Sequence, residues 1–303
     1  MIFEVTILGS GAALPTLRRN PSAQYINCNE RHILIDCGEG TQNQIRRYGI
    51  KIQKIKHIFI SHLHGDHYFG LMGLLSTMSL LGRSESLTIY APKELEGIIH
   101  LQLKASGHHY EFKMNFVSLD NSEITLIFED KMIEIWAIPM KHRVKTNGFL
   151  IKEKVKELSI NGEVFRESGL SLTSIPFFRK GQNFVDEKGK SHSYKRYTFP
   201  AQKAKSYAYF SDTAPVTKNC EFIQGFDALY HEATFTEVHL DRAKHTLHST
   251  AKQAAEIAKT SKVKRLYLGH ISSRYDSVEQ HLIEAKSVFE NTIIVEDGMK
   301  FYV

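Results

Sequence analysis

The chain reads as an α/β protein of the α+β kind, two sheets packed together with helices outside, and three observations predict this. Short β-branched and aromatic runs alternate with helical stretches in two halves of similar texture. The residues able to do chemistry stand on loops directly after those runs. One basic segment, 152–206, interrupts the alternation between the halves.

Taken in order, Phe3–Leu8 reads as a first strand ending in the glycine turn Gly9-Ser10-Gly11, and Ile33-Leu34-Ile35 as another strand. Residues 40–48 and 70–81 have helical texture. Between them Lys56–Ile60 is too short for a helix and rich in β-branched and aromatic side chains, so it reads as a buried strand. Leu87–Tyr90 closes the first half. In the second half Tyr207–Phe210, Ala228–Tyr230 and Arg265–Leu268 read as strands. Ser249–Lys259 has the alanine content and leading hydroxyl of a helix start.

At 303 residues, with 42% hydrophobic and 24% charged residues, the chain can bury a substantial core. No run approaches the roughly 18 consecutive apolar residues of a membrane span. Met1–Val5 reads as strand rather than signal peptide, so the expected location is cytoplasmic, with no membrane partner. Cys28, Cys37 and Cys220 are scattered and odd in number, which suggests neither a disulfide framework nor a cysteine metal site. The formal charge is +6, and residues 152–206 alone hold twelve Lys and Arg against six Asp and Glu. The remainder is balanced, so the whole excess lies in the inserted segment. Basic side chains there interleave with aromatics and glycines, as in Phe177-Phe178-Arg179-Lys180-Gly181 and Lys188–Tyr197, a composition that suits a phosphate backbone. A solvated insertion would explain the composition equally well.

The densest chemistry is Ser61-His62-Leu63-His64-Gly65-Asp66-His67, three imidazoles and a carboxylate at the end of the buried strand. Imidazole and carboxylate together are the ligand set of zinc, with manganese and iron as substitutes. Four ligands from one loop exceed what one tetrahedral ion with an open position takes, which points to two ions. A closed structural site would favour cysteine, and none is near. His142, Asp212 and His270 also follow apolar runs at strand ends, where a distant loop could complete such a site.

The His-x-His-x-Asp-His motif at 62–67 resembles the signature of the metallo-β-lactamase superfamily. The surroundings resemble its ribonuclease Z family: Leu34-Ile35-Asp36-Cys37-Gly38-Glu39-Gly40-Thr41-Gln42, Gly70–Thr77, His231-Glu232-Ala233-Thr234-Phe235 and His248-Ser249-Thr250-Ala251. The resemblance spans about 1–150 and 206–303. It implies an αββα four-layer sandwich formed by a single domain over 1–303, with 152–206 as a protruding arm that grips tRNA. It implies a zinc-dependent endoribonuclease that removes the 3′ trailer from precursor tRNA, leaving a 3′-hydroxyl on the tRNA and a 5′-phosphate on the trailer. It implies a homodimer whose arm serves the partner's active site.

For the site, the resemblance implies two zinc ions, with His62, His64 and His142 on one, Asp66, His67 and His270 on the other, and Asp212 bridging. Two ions roughly 4 Å apart can lower the pKa of a shared water and hold it in line with phosphorus. Asp66 is then also the proton acceptor, and His248 the candidate to protonate the leaving 3′ oxygen, with Glu232 orienting it. Arg274 suits a nonbridging phosphate oxygen. The Arg18-Arg19-Asn20 loop is expected beside the cleavage site, and Arg179 and Lys180 of the arm on the tRNA body. Where the family's arm has a glycine-proline run, Ser174-Ile175-Pro176-Phe177 stands here. Two other readings fit parts of the pattern: a small-molecule phosphodiesterase or thioesterase of the superfamily, and a catalytically idle RNA-binding protein.

Overall fold

A computed structural model describes residues 2–120 and 122–303. The chain divides into two compact units, one comprising residues up to Glu129, Ile133–Lys152 and Lys205–Val303, the other Asp130–Met132 and Glu153–Ala204.

The larger unit carries two seven-stranded sheets. The first uses β1 (Phe3–Gly9), β2 (Ala23–Cys28), β3 (Arg31–Ile35), β4 (His57–Phe59), β5 (Leu87–Ala91), β6 (Met114–Ser118) and the last strand β14 (Lys300–Tyr302), in the order β14-β1-β2-β3-β4-β5-β6. The second uses β7 (Thr125–Glu129), β8 (Ile133–Met140), β9 (Thr146–Glu153), β10 (Ser206–Phe210), β11 (Ala228–Glu232), β12 (Leu266–Gly269) and β13 (Thr292–Ile294), in the order β13-β12-β11-β10-β9-β8-β7.

Period-two alternation explains why the sheets face each other. On β10, Tyr207 and Tyr209 point to the first sheet, while Ala208 and Phe210 join the outer core under the helices. On β12, Leu266 and Leu268 face the same outer core, while Tyr267 stacks on Phe301 of the first sheet at 3.7 Å. Phe59 of β4 meets Phe149 of β9 at 5.4 Å. The inner layer is thus largely aromatic, and each outer face is covered by helices. Leu71–Leu80 buries Leu71, Leu74, Leu75 and Met78 against the first sheet. Ala251–Thr260 buries Ala251, Ala254, Ala255, Ile257 and Ala258 against the second, at helical spacing. Thr250 starts that helix in a capping box with Gln253. The result is the αββα sandwich of the metallo-β-lactamase fold.

Strand direction positions the chemistry. β3 and β4 run parallel to each other, as do β10, β11 and β12, so the carboxyl ends of each set open at one edge. Asp36 follows β3, Ser61–His67 follow β4, Asp212 follows β10, Glu232 ends β11 and His270 follows β12.

The smaller unit has its own core of Phe165, Phe178 and Tyr197. Phe178 stacks on Tyr197 at 4.8 Å. The expected departure at Ser174–Phe177 takes a helical form: Pro176 sits in the first turn of Ile175–Arg179, where its missing N–H costs nothing. Within this unit Val155, Lys156, Leu158, Tyr194, Lys195 and Phe199 line a cleft with Arg179 and Lys180.

Candidate metal centre

At the strand edge, two groups of ligand atoms meet across one carboxylate. His62 Nε2 and His142 Nε2 lie 3.5 and 3.7 Å from Asp212 Oδ2, and both approach His64 Nδ1, at 3.0 and 3.3 Å. On the other side His67 Nε2 and His270 Nε2 lie 3.3 and 3.1 Å from Asp212 Oδ1, and 3.5 and 3.4 Å from Asp66 Oδ2. The seven residues singled out in the sequence are therefore brought together, with the two oxygens of Asp212 facing different groups.

For His62, His67, His142 and His270 the outer ring nitrogen is held so that the inner one is free. His67 Nδ1 donates to Asp36 Oδ2 at 2.8 Å, His142 Nδ1 to Leu247 O at 2.9 Å, and His270 Nδ1 pairs with Thr234 Oγ1 at 2.8 Å. His62 Nδ1 lies 3.0 Å from Ser61 Oγ. Fixing the far nitrogen in this way orients an imidazole as a ligand. His270 adopts φ +56°, a left-handed conformation uncommon for a non-glycine residue, which turns its ring into the site.

The donor set fits a pair of divalent cations. His67 Nε2 and Asp212 Oδ1 are buried and face each other at 3.3 Å without an aligned hydrogen bond among the described residues, so their lone pairs are left for a cation. The groups His62, His64, His142, Asp212 and Asp66, His67, His270 each bring their ligand atoms within 4.8 Å of one another.

Electrostatics agree. Burial holds the His62 imidazole well below its ordinary range, as a neutral ligand requires. Burial opposes a charge on His67, yet Asp212, Asp36 and Asp66 around it push its pKa well above the usual value. Burial likewise opposes ionisation of Asp66 and Asp212, but the surrounding imidazoles, His67 foremost for Asp66 and His270 for Asp212, hold both carboxyls well below the usual range. The site concentrates negative charge that a cation would balance.

Beside the ligands, Glu232 is a fully buried hub. Its Oε1 accepts from Thr213 N at 2.9 Å and from His248 Nδ1 at 2.7 Å, and its Oε2 from Thr234 N and Oγ1 at 3.0 and 2.7 Å. It thereby ties the residue after Asp212, the partner of His270, and His248 itself. Burial alone would depress the His248 imidazole, but the Glu232 carboxylate lifts it to about 9. Its ring lies beside those of His142 and His270, at 4.8 and 5.5 Å. Ser249 and Thr250, in the same sequence motif, serve the scaffold: Ser249 Oγ donates to Thr213 O and Thr250 caps the following helix.

The cleft over the ligands, about 420 Å³, is lined by His64, Asp66, His248 and His270 together with Arg274. Arg274 Nε donates to Ser272 Oγ at 3.0 Å and its guanidinium lies 5.1 Å from the Phe235 ring centre. Two further arginines that the sequence pattern does not single out, Arg143 and Arg242, also line the cleft. Both are exposed and neither makes an ion pair among the described residues. Arg143 directly follows the ligand His142, the one signal that could have exposed it.

The Arg18-Arg19-Asn20 loop divides. Arg18 is exposed and lines a neighbouring cleft with Tyr275 and Asp276. Arg19 turns inward, its Nη1 donating to Ser10 Oγ and Val295 O at 2.7 Å each, and Asn20 donates to Asp297. The expectation of a substrate contact gives way at these two to holding the loop. Arg179 and Lys180 lie in the smaller unit, where Arg179 pairs with Glu157 at 3.0 Å.

Two sequence profiles match the chain, one described as beta-lactamase superfamily domain over residues 145–271 and one as Anti-Pycsar protein Apyc1 over residues 3–165. Among curated proteins, ribonuclease Z of Parabacteroides distasonis is 44% identical over 99% of both chains. That of Cytophaga hutchinsonii is 43% identical over 100% of this chain and 97% of its own. Among solved structures, the short form of human tRNase Z matches over 98% of both chains with a TM-score of 0.71 at 28% identity. YhfI of Bacillus subtilis, at 17% identity and a TM-score of 0.69, shares the fold. With the metal-ligand geometry and identity sustained along its whole length, the chain belongs to the ribonuclease Z family of the β-lactamase superfamily.

Proposed function

We propose that this protein is a zinc-dependent endoribonuclease that cuts precursor tRNA after the discriminator nucleotide, leaving a 3′-hydroxyl on the tRNA and a 5′-phosphate on the trailer. The observation that carries the reading is the pair of ligand groups sharing Asp212, beside a buried Glu232 and a charged His248, in a chain of this family. His62, His64 and His142 would hold one ion, Asp66, His67 and His270 the other, with Asp212 between them. When bound, two such ions supply Lewis acidity that activates water and offsets charge on the phosphate.

The chain's own groups do the rest. Asp66 keeps Oδ2 toward His67 and His270 and accepts a hydrogen bond there from Ala13 N at 2.8 Å. Its Oδ1 makes no hydrogen bond among the described residues and is the oxygen that takes the proton from water. His248, charged through its bond to Glu232, gives its Nε2 proton to the leaving 3′ oxygen. Arg274, Arg143 and Arg242 bind nonbridging oxygens of the scissile and adjacent phosphates, geometry that guanidinium serves well. Arg18 extends that contact along the strand.

Residues 152–206, of which Glu153–Ala204 belong to the smaller unit, act as the tRNA-binding arm, with Arg179 and Lys180 among its phosphate contacts. Its basic excess and its cleft of apolar and basic side chains support this. The working form is a cytoplasmic homodimer. Phe69, next to the metal loop, and Leu80 and Leu81, at the far end of the helix that follows it, are exposed at 64%, 83% and 60% and supply apolar surface for self-association.

His248→Ala tests the division of roles. Metal-replete variant should lose most cleavage and keep its zinc; normal tRNA cleavage would remove His248 from the mechanism.

A further inference from the structure

We propose that Tyr209 is a positioning residue for the metal centre: its hydroxyl fixes Asp36, the carboxylate that aims His67, and so sets how tightly the ions are held. This inference rests on the metal reading above and adds a link across the two sheets.

Asp36 follows β3 of the first sheet in a left-handed conformation, φ +57°, and is fully buried. Its Oδ1 accepts from Ser61 N at 2.7 Å. Its Oδ2 accepts from His67 Nδ1 at 2.8 Å, from Ser61 Oγ at 2.9 Å and from Tyr209 Oη at 2.7 Å. Of these donors only Tyr209 comes from the second sheet, on β10, the strand that leads to Asp212. The single hydroxyl thus ties the aim of His67 to the strand that delivers the shared carboxylate. Ser211 adds a weaker, indirect tie, its Oγ donating to Ser61 Oγ at 3.0 Å.

Packing alone does not call for tyrosine at 209. Phe149, stacked on Tyr209 from the other side, and Phe59 against it are phenylalanine, and a phenylalanine ring would stack equally well on Tyr230, 5.0 Å away. A buried hydroxyl is costly unless it is bonded, and here its partner is an anion. Burial, with the Asp36 anion beside it, pushes the Tyr209 phenol well above its ordinary pKa, so it stays a donor. Between two stacked aromatic neighbours the ring cannot swing, and the donor stays where Asp36 needs it.

The matched control lies two residues away on the same strand. Tyr207 is equally buried and its hydroxyl also crosses to the first sheet, donating to Gln24 Oε1 at 2.5 Å, away from the metal ligands. Full-length wild type, Tyr209→Phe, Tyr207→Phe, Asp36→Asn and the double variant Asp36→Asn/Tyr209→Phe are stripped of metal. Each is titrated with zinc against a chromophoric chelator, and with cobalt while the visible absorption is followed. Removal of such an outer partner typically weakens metal binding by about 10- to 100-fold. Tyr209→Phe should fall near the lower end and alter the cobalt spectrum, Tyr207→Phe should match wild type, and Tyr209→Phe should cost nothing further in the Asp36→Asn background. Wild-type affinity and spectrum in Tyr209→Phe, an equal loss in Tyr207→Phe, or additive losses in the double variant would each overturn the inference while leaving the metal reading intact. Wild type that takes up neither ion would overturn both.

Discussion

Replacing Glu232 with glutamine removes the charge that holds the His248 proton while keeping an oxygen able to accept from Nδ1. The Glu232 carboxylate lifts His248 to about 9 against the depressing effect of burial. Without the anion, burial still lowers the imidazole and the nearby Asp212 charge still raises it, and with these offsetting each other it returns to its ordinary value of about 6.5. At pH 8 the charged fraction then drops from about 90% to about 3%, a loss of about 30-fold in the acid form. At pH 6 both proteins keep most of their His248 charged, and the deficit shrinks to about twofold or less. The sign follows from the role: an acid must carry its proton, so the variant fails on the alkaline side first. The assay is single-turnover cleavage of precursor tRNA from pH 5.5 to 9. Zinc content is measured on the same samples, because Glu232 also braces the Asp212 loop through Thr213 N. A deficit of the same size at every pH, with zinc retained, would refute the acid role of His248 and leave Glu232 as scaffold alone.

Asp212→Ala removes the carboxylate that faces both ligand groups, so both ions should be lost together; retention of a full zinc complement, measured by elemental analysis, would contradict the shared-ligand geometry. Arg143→Ala and Arg242→Ala should each reduce kcat/KM on precursor tRNA by about tenfold, the worth of one charge-assisted phosphate contact, and lower the log–log salt slope by about 0.7. Unchanged salt dependence would take these arginines off the RNA.

Much of the site was legible because parallel strands present their carboxyl ends at one edge. Each ligand could be recognised as a polar residue after an apolar run: His62–His67 after β4, Asp212 after β10, His270 after β12. The strands themselves were legible where both faces are buried, as at Tyr207–Phe210. Edge strands such as Leu126-bearing β7, half exposed and paired on one side, gave no comparable signal. What one-dimensional reading lost was side-chain direction. Arg18 and Arg19 are adjacent and chemically alike, yet one faces solvent and the other spends its Nη1 on Ser10 and Val295. Arg143 and Arg242 lie far apart in the chain and meet only at the cleft. The Tyr209–Asp36–His67 chain crosses between sheets, and nothing in the local pattern of any of the three announces it.

The most direct measurement is cleavage of a precursor tRNA carrying a 3′ trailer, with and without a chelator, the cut mapped by fragment length and end chemistry. The expected result is a chelator-sensitive cut directly after the discriminator, with a 3′-hydroxyl on the tRNA and a 5′-phosphate on the trailer. An intact precursor beside rapid hydrolysis of small phosphodiesters or thioesters would contradict it.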